Sequence, residues 1–114
     1  FMKFKSKEKF DLITMIGVLQ NCGYGHIKML KQIKKFIRKN SLLFLTSKNL
    51  LCENVNRNTI KNSGHEWFDP KKISEFLEKN GFQIIKVNAF NFYKNQTKDF
   101  KKSENFFLYA KYSK

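Results

Sequence analysis

The pattern of apolar and polar positions divides this chain into segments of different period. Within FDLITMIGVLQ (Phe10–Gln20), the run Leu12-Ile13-Thr14-Met15-Ile16 is unbroken apolar and β-branched. A strand buried on both faces of a parallel sheet reads this way, because neither face needs polar residues. Asn21-Cys22-Gly23-Tyr24-Gly25 follows as a turn-forming stretch. From His26 to Lys39 the period lengthens: Ile27, Leu30, Ile33 and Ile37 recur at three- and four-residue steps, joined by Met29 and Phe36. Lys28, Lys31, Lys34, Lys35, Arg38 and Lys39 fill the other side, so the segment predicts an amphipathic helix with Asn40 as its stop. SLLFLTS (Ser41–Ser47) is a second continuous apolar run, and strand, helix, strand in this order makes a βαβ unit.

The second half alternates loops with sharper signals. Lys48–Glu66 has no clean period and predicts a long connection, a lid or a loose insertion, with Leu50, Leu51, Val55 and Ile60 as candidate anchors and room for a short helix. Asp69-Pro70 gives a helix start, with Asp as cap and Pro at the first helical position, and Ile73, Phe76 and Leu77 as the apolar face. Gly81 closes it. Phe82–Phe92 reads as a strand, with a bulge expected near Asn88. After the basic connection Tyr93–Ser103, Asn105–Tyr112 is a strand with Phe106, Leu108, Ala110 and Tyr112 on one face. Two strands joined without a helix pair antiparallel, so the sheet is mixed: mostly parallel, with an antiparallel terminal strand.

Composition narrows the class. At 114 residues the chain is one domain or part of one, and 41% hydrophobic content supports a packed core. No stretch is long and apolar enough to span a membrane. Cys22 and Cys52 are too few for a disulfide framework and lack the spacing of a metal site, which points to reduced thiols in the cytoplasm. The net charge of +14 suggests nucleic acid or another acidic surface. Of the 23 basic residues, however, only Arg38 and Arg57 are arginine, the better group for bidentate phosphate recognition. A basic nucleic-acid-binding α/β module therefore stands as the alternative reading.

Three stretches in this order resemble the C-terminal half of class I S-adenosylmethionine-dependent methyltransferases, of the small-molecule type that includes ubiquinone-biosynthesis enzymes. FDLITMIGVLQ is similar to the family's fourth strand. HIKMLKQIKKFIRKNSLLFLT is similar to the helix and fifth strand that follow. HEWFDPKKISEFLEKNGFQIIKV resembles the His-aromatic-Pro helix that ends in Gly-Phe before the sixth strand. The likeness runs from about Lys9 to Tyr112. It implies a partial Rossmann-like sheet in the family order fourth-fifth-seventh-sixth, with residues 1–114 as the C-terminal half of one domain and the N-terminal cofactor-binding half absent. Phe10–Ile16 would then lack a neighbour and present a bare edge. The family's glycine loop and ribose-binding acid are not found: Gly23-Tyr24-Gly25 carries bulky Tyr24 and His26 around it, and no acidic residue ends Ser41–Ser47.

The resemblance also implies a site. Ligands of open α/β sheets lie beyond the carboxyl ends of the strands, where strand order reverses. Ile16, Gly17 and Gln20 become the candidate contacts to S-adenosylmethionine. His65, ahead of Trp67 and Phe68, is the candidate catalytic base for a small-molecule acceptor, a role for which imidazole is suited near neutral pH. Asp11, at the opposite end of its strand, reads as structural, and His26, at a helix start, as structural or solvent-facing. The resemblance implies an enzyme whose isolated half is silent and needs its missing half or a complementing chain.

Overall fold

The computed structural model describes residues 5–21, 25–53, 55–92 and 96–114. Strand β1 (Leu12–Ile16) leads through the short helix α1 (Val18–Asn21) to helix α2 (Gly25–Ile33) and strand β2 (Leu42–Asn49). Helix α3 (Arg57–Ser63), the two-residue strand β3 (Trp67–Phe68) and helix α4 (Pro70–Lys79) follow. Strand β4 (Phe82–Phe90), a single 3₁₀ turn at Phe100–Lys102 and strand β5 (Asn105–Tyr112) complete the order. Cys22, Gly23 and Tyr24, and with them the turn expected at Asn21–Gly25, lie outside the described residues, as does part of the Tyr93–Ser103 connection.

The sheet has the order β1-β2-β5-β4, which is the fourth-fifth-seventh-sixth arrangement expected from sequence. β1 pairs parallel with β2, from Leu12 beside Leu42 to Ile16 beside Thr46. β5 is antiparallel to both β2 and β4, so β5 alone runs against the rest. β3, which the sequence did not announce, pairs parallel with the last two residues of β2 and extends the β1 side of the sheet. The bulge in β4 lies between Ile84 and Lys86, not at Asn88.

Cross-strand register sorts the side chains onto two faces. Met15, Leu43, Leu45, Phe106, Leu108 and Ala110 point to one face and are buried in the core. Against them pack Met29, Leu30 and Ile33 of α2 and Ile73 and Leu77 of α4. The opposite face carries Leu12, Thr14 and Ile16 in register with Leu42, Phe44 and Thr46, then Tyr109 and Phe107, then Lys86 and Asn88. No described helix contributes to the core from that face, and Leu12 and Ile16 are 53% and 62% exposed.

Local chemistry explains where elements end. α4 starts as expected: the Asp69 side chain accepts from the Lys71 N–H at 2.9 Å and Pro70 occupies the first turn. α2 stops at Ile33, six residues short of the expected Lys39. The N–H groups of Lys35 and Phe36 reach back three residues, to Gln32 and Ile33. The Phe36 carbonyl is taken by the Phe10 N–H at 2.7 Å. Bending here buries Phe36 and Ile37 and avoids winding Lys34, Lys35, Arg38 and Lys39 into one crowded helical end. Ile27, assigned to the buried stripe, is exposed, and Gln32 is buried instead. Asn40, at φ 74°, makes the left-handed turn into β2. No helix among the described residues is long and apolar enough to cross a membrane.

Candidate functional site

The carboxyl ends of β1, β2 and β3 and the start of the reversed β5 gather at one end of the sheet. Gly17 turns the chain out of β1 at φ 70°, and its N–H is held by the Thr46 hydroxyl at 2.9 Å. Leu19 is driven fully into the core, which orients the short α1. Ile16 lies exposed at the strand's tip, and the Gln20 carbonyl accepts from the Glu66 N–H at 2.9 Å. That bond joins the turn after β1 to the end of the long connection, across some forty-five positions of sequence.

The long connection is built, not loose. Asn56 caps α3 by accepting from Thr59 N–H at 2.9 Å, and Gly64 closes it at φ 71°. Ser63 then acts as a knot. Its hydroxyl donates to the Ile60 carbonyl at 2.8 Å and accepts from the Trp67 indole N–H at 3.0 Å and the His65 N–H at 3.2 Å. Leu50 and Leu51, expected as anchors, are exposed; the buried Cys52, a free thiol, anchors the segment in their place.

His65 lines a cavity of about 320 Å³ together with Lys48, Cys52, Val55, Thr59, Ser63, Trp67 and Glu104. The Lys48 ammonium stands 5.5 Å from the centre of the Trp67 ring, a cation–π distance that holds it at the rim. Glu104 is fixed from both sides: its N–H donates to Asn91 Oδ1 at 2.9 Å and its carbonyl accepts from Asn49 N–H at 2.9 Å. The cavity therefore offers a cation, a carboxylate, an imidazole and an indole face around a partly apolar floor. Such a set suits a small molecule with both a polar and an apolar part. Among the described residues no group of three His, Cys, Asp or Glu could hold a metal.

The candidate residues thus reach the same end of the sheet in two places. Ile16, Gly17 and Gln20 lie in and just after one turn, while His65 lines a separate cavity and is followed by Glu66, whose N–H bonds to the Gln20 carbonyl. The turn presents an exposed aliphatic side chain, Ile16, and a bend that Gly17 makes at φ 70° at the strand's end. β1 and β2 end without a carboxylate that could hold a ribose. Among the described residues the buried Ser47 hydroxyl has no hydrogen-bond partner, but it lies on the core face and does not point to a ligand. Asp11 is structural as expected, paired with the Arg38 guanidinium through Nε at 3.0 Å and Nη2. His26 is packed edge-on against Phe76 and Phe68. Lys48 and Glu104 escaped the sequence reading. The signal for Lys48 was its position directly after the second buried strand; Glu104 gave none.

No family model and no curated protein matches this chain. Its fold is that of solved methyltransferases. The N-methyltransferase NodS from Bradyrhizobium japonicum WM9, in complex with S-adenosyl-l-homocysteine, superposes with a TM-score of 0.62 at 14% identity over 99% of this chain and 51% of its own. A S-adenosylmethionine-dependent methyltransferase from Clostridium acetobutylicum ATCC 824 gives 0.60 at 13% identity, covering 99% of this chain and 62% of its own. The chain thus spans about half the length of the NodS structure it resembles.

Proposed function

We propose that this chain is the substrate-side, C-terminal half of a S-adenosylmethionine-dependent methyltransferase domain acting on a small molecule, akin to the ubiquinone-biosynthesis type. The observation that carries the reading is the β1-β2-β5-β4 sheet order with a mixed polar and apolar cavity at its carboxyl end. The cofactor's sulfonium would supply an activated methyl group for displacement by a nucleophile. Ile16, Gly17 and Gln20 line the flank against which its methionine end would rest. Lys48, Trp67 and Glu104 orient the acceptor, and His65 takes the proton from its hydroxyl or amine as the new bond forms.

With one flank of the cofactor site in hand, the isolated chain holds S-adenosylhomocysteine weakly and does not turn over. Calorimetric titration of the chain alone checks this: only heats of dilution are expected at micromolar concentration. Stoichiometric binding in that range would show a whole site and would sink the half-domain reading.

A further inference from the structure

The charge of this chain is not spread evenly over it. At the carboxyl end of the sheet, where the candidate site lies, lysines are interspersed with Glu53, Glu66, Asp69, Asp99 and Glu104, five of the nine acidic residues in the sequence. The opposite, amino end is different. There the segment leading into β1, the bend between α2 and β2, the end of α4 and the end of β5 carry Lys9, Lys34, Lys35, Lys39, Lys79 and Lys114, all exposed. Glu8, Asp11 and Glu78 are the acids of these segments, and Asp11 is held by Arg38. Among the described residues none of the six lysines forms an ion pair.

Hydrogen bonds gather these segments. Lys9 Nζ donates to the Lys35 carbonyl at 2.6 Å, and the Phe10 N–H to that of Phe36 at 2.7 Å. The Asn40 N–H donates to the Tyr112 carbonyl at 2.8 Å, which sets Lys39 beside the end of β5. The Ser113 N–H donates to the Gly81 carbonyl at 2.8 Å, and the Lys114 side chain passes over Gly81, two residues after Lys79. The cations therefore stand on one continuous surface fixed by main chain. Like charges crowded in this way repel one another, and a polyanion relieves the repulsion. A lysine-rich composition alone does not explain why most of the balancing acids sit at the far end.

We infer that this amino end docks on the phosphate backbone of double-stranded nucleic acid without reading its sequence. A lysine ammonium is a point charge on a flexible stem, suited to phosphates and not to base edges. Base reading favours bidentate arginine, and Arg38 is engaged by Asp11. Single strands are gripped by stacking, but the described rings at this end, Phe10, Phe36 and Tyr112, are buried or half-buried. A lipid surface favours exposed apolar groups among the cations. Ile16, Leu50, Leu51 and Phe92 stand at the far end of the sheet, with Leu12 and Ile85 nearer. A protein partner fits worse as well, because protein interfaces are depleted of lysine.

A fluorescein-labelled DNA duplex of mixed sequence, titrated with the full chain and followed by anisotropy, tests this. Saturable binding in the micromolar range is expected at low salt. Log affinity should fall against log salt with a slope of about −4, as for some five phosphates neutralised. Lys34→Gln, Lys35→Gln and Lys39→Gln made together should flatten that slope by about 3 and weaken binding about tenfold or more. Lys71→Gln, Lys72→Gln and Lys101→Gln remove the same charge at the carboxyl end and should leave the slope within about 1 of the parent. Circular dichroism checks that both triples fold, and Lys9→Gln with Lys114→Gln replaces the first if it does not. Equal weakening by the two triples reduces the effect to net charge and overturns the inference. So do the absence of saturable binding and tighter binding to a single strand or to phosphatidylglycerol vesicles than to the duplex.

Discussion

At the scale of single residues, two asparagines hold the cavity in shape. Asn49 is fully buried; its amide donates to the Phe100 and Ser103 carbonyls at 2.7 and 2.9 Å, and its Oδ1 accepts from the Leu51 N–H at 3.0 Å. Asn91 reaches the same segment, donating to the Lys102 carbonyl and accepting from Glu104. Asn49→Ala strands buried carbonyls and should cost about 2–3 kcal/mol, read as a lowered urea midpoint with unchanged slope. These roles were illegible in the sequence. In a chain crowded with asparagine and lysine, nothing local separates a buried Asn from a solvated one. The Asp69-Pro70 cap was legible because its partner is two residues away. Glu104 was not, because its position depends on two residues distant in the chain.

At the scale of elements, the strands and α4 follow from sequence, since their apolar periods are clean and their boundaries are marked by Asp, Pro or Gly. α2 was overextended because the period alone did not register that Phe36 and Ile37 reach the core more easily outside the helix. β3 has two residues, too few to show any period. The turn from α4 into β4 depends on Gly81 at φ 96°, whose carbonyl accepts from Ser113 N–H at 2.8 Å and ties the turn to the end of β5. A Cβ there would come within 2.8 Å of the Lys114 side chain and 3.1 Å of the Tyr112 ring. Gly81→Ala should therefore destabilise by about 1–2 kcal/mol, mostly from the left-handed backbone, and a thermal melt measures it.

At the scale of the whole molecule, strand order was legible because the motifs resemble a known sequence of elements, not because pairing can be read from period. The open face was only half legible. Continuous apolar runs said that both faces of β1 and β2 should be covered, and the structure shows which face the described helices leave open. Charge and apolar surface then oppose each other. At low ionic strength a net charge of +14 keeps copies apart; at high salt the repulsion is screened while the exposed Leu12 and Ile16 of β1 remain. Light scattering of the isolated chain should rise with added salt, and Ile16→Lys should suppress the rise.

The hydrogen bond between Glu66 and Gln20 has a consequence for ligand order. It makes the turn after β1 and the strand of chain leading into Trp67 a single mechanical unit. A molecule that stills one stretch has already met part of the entropic cost of ordering the other. Linkage makes this reciprocal, so occupants of the two sites should enhance each other's affinity by the same factor, whichever arrives first. On the proposed reading, one backbone contact thereby couples the turn after β1 to the His65 cavity.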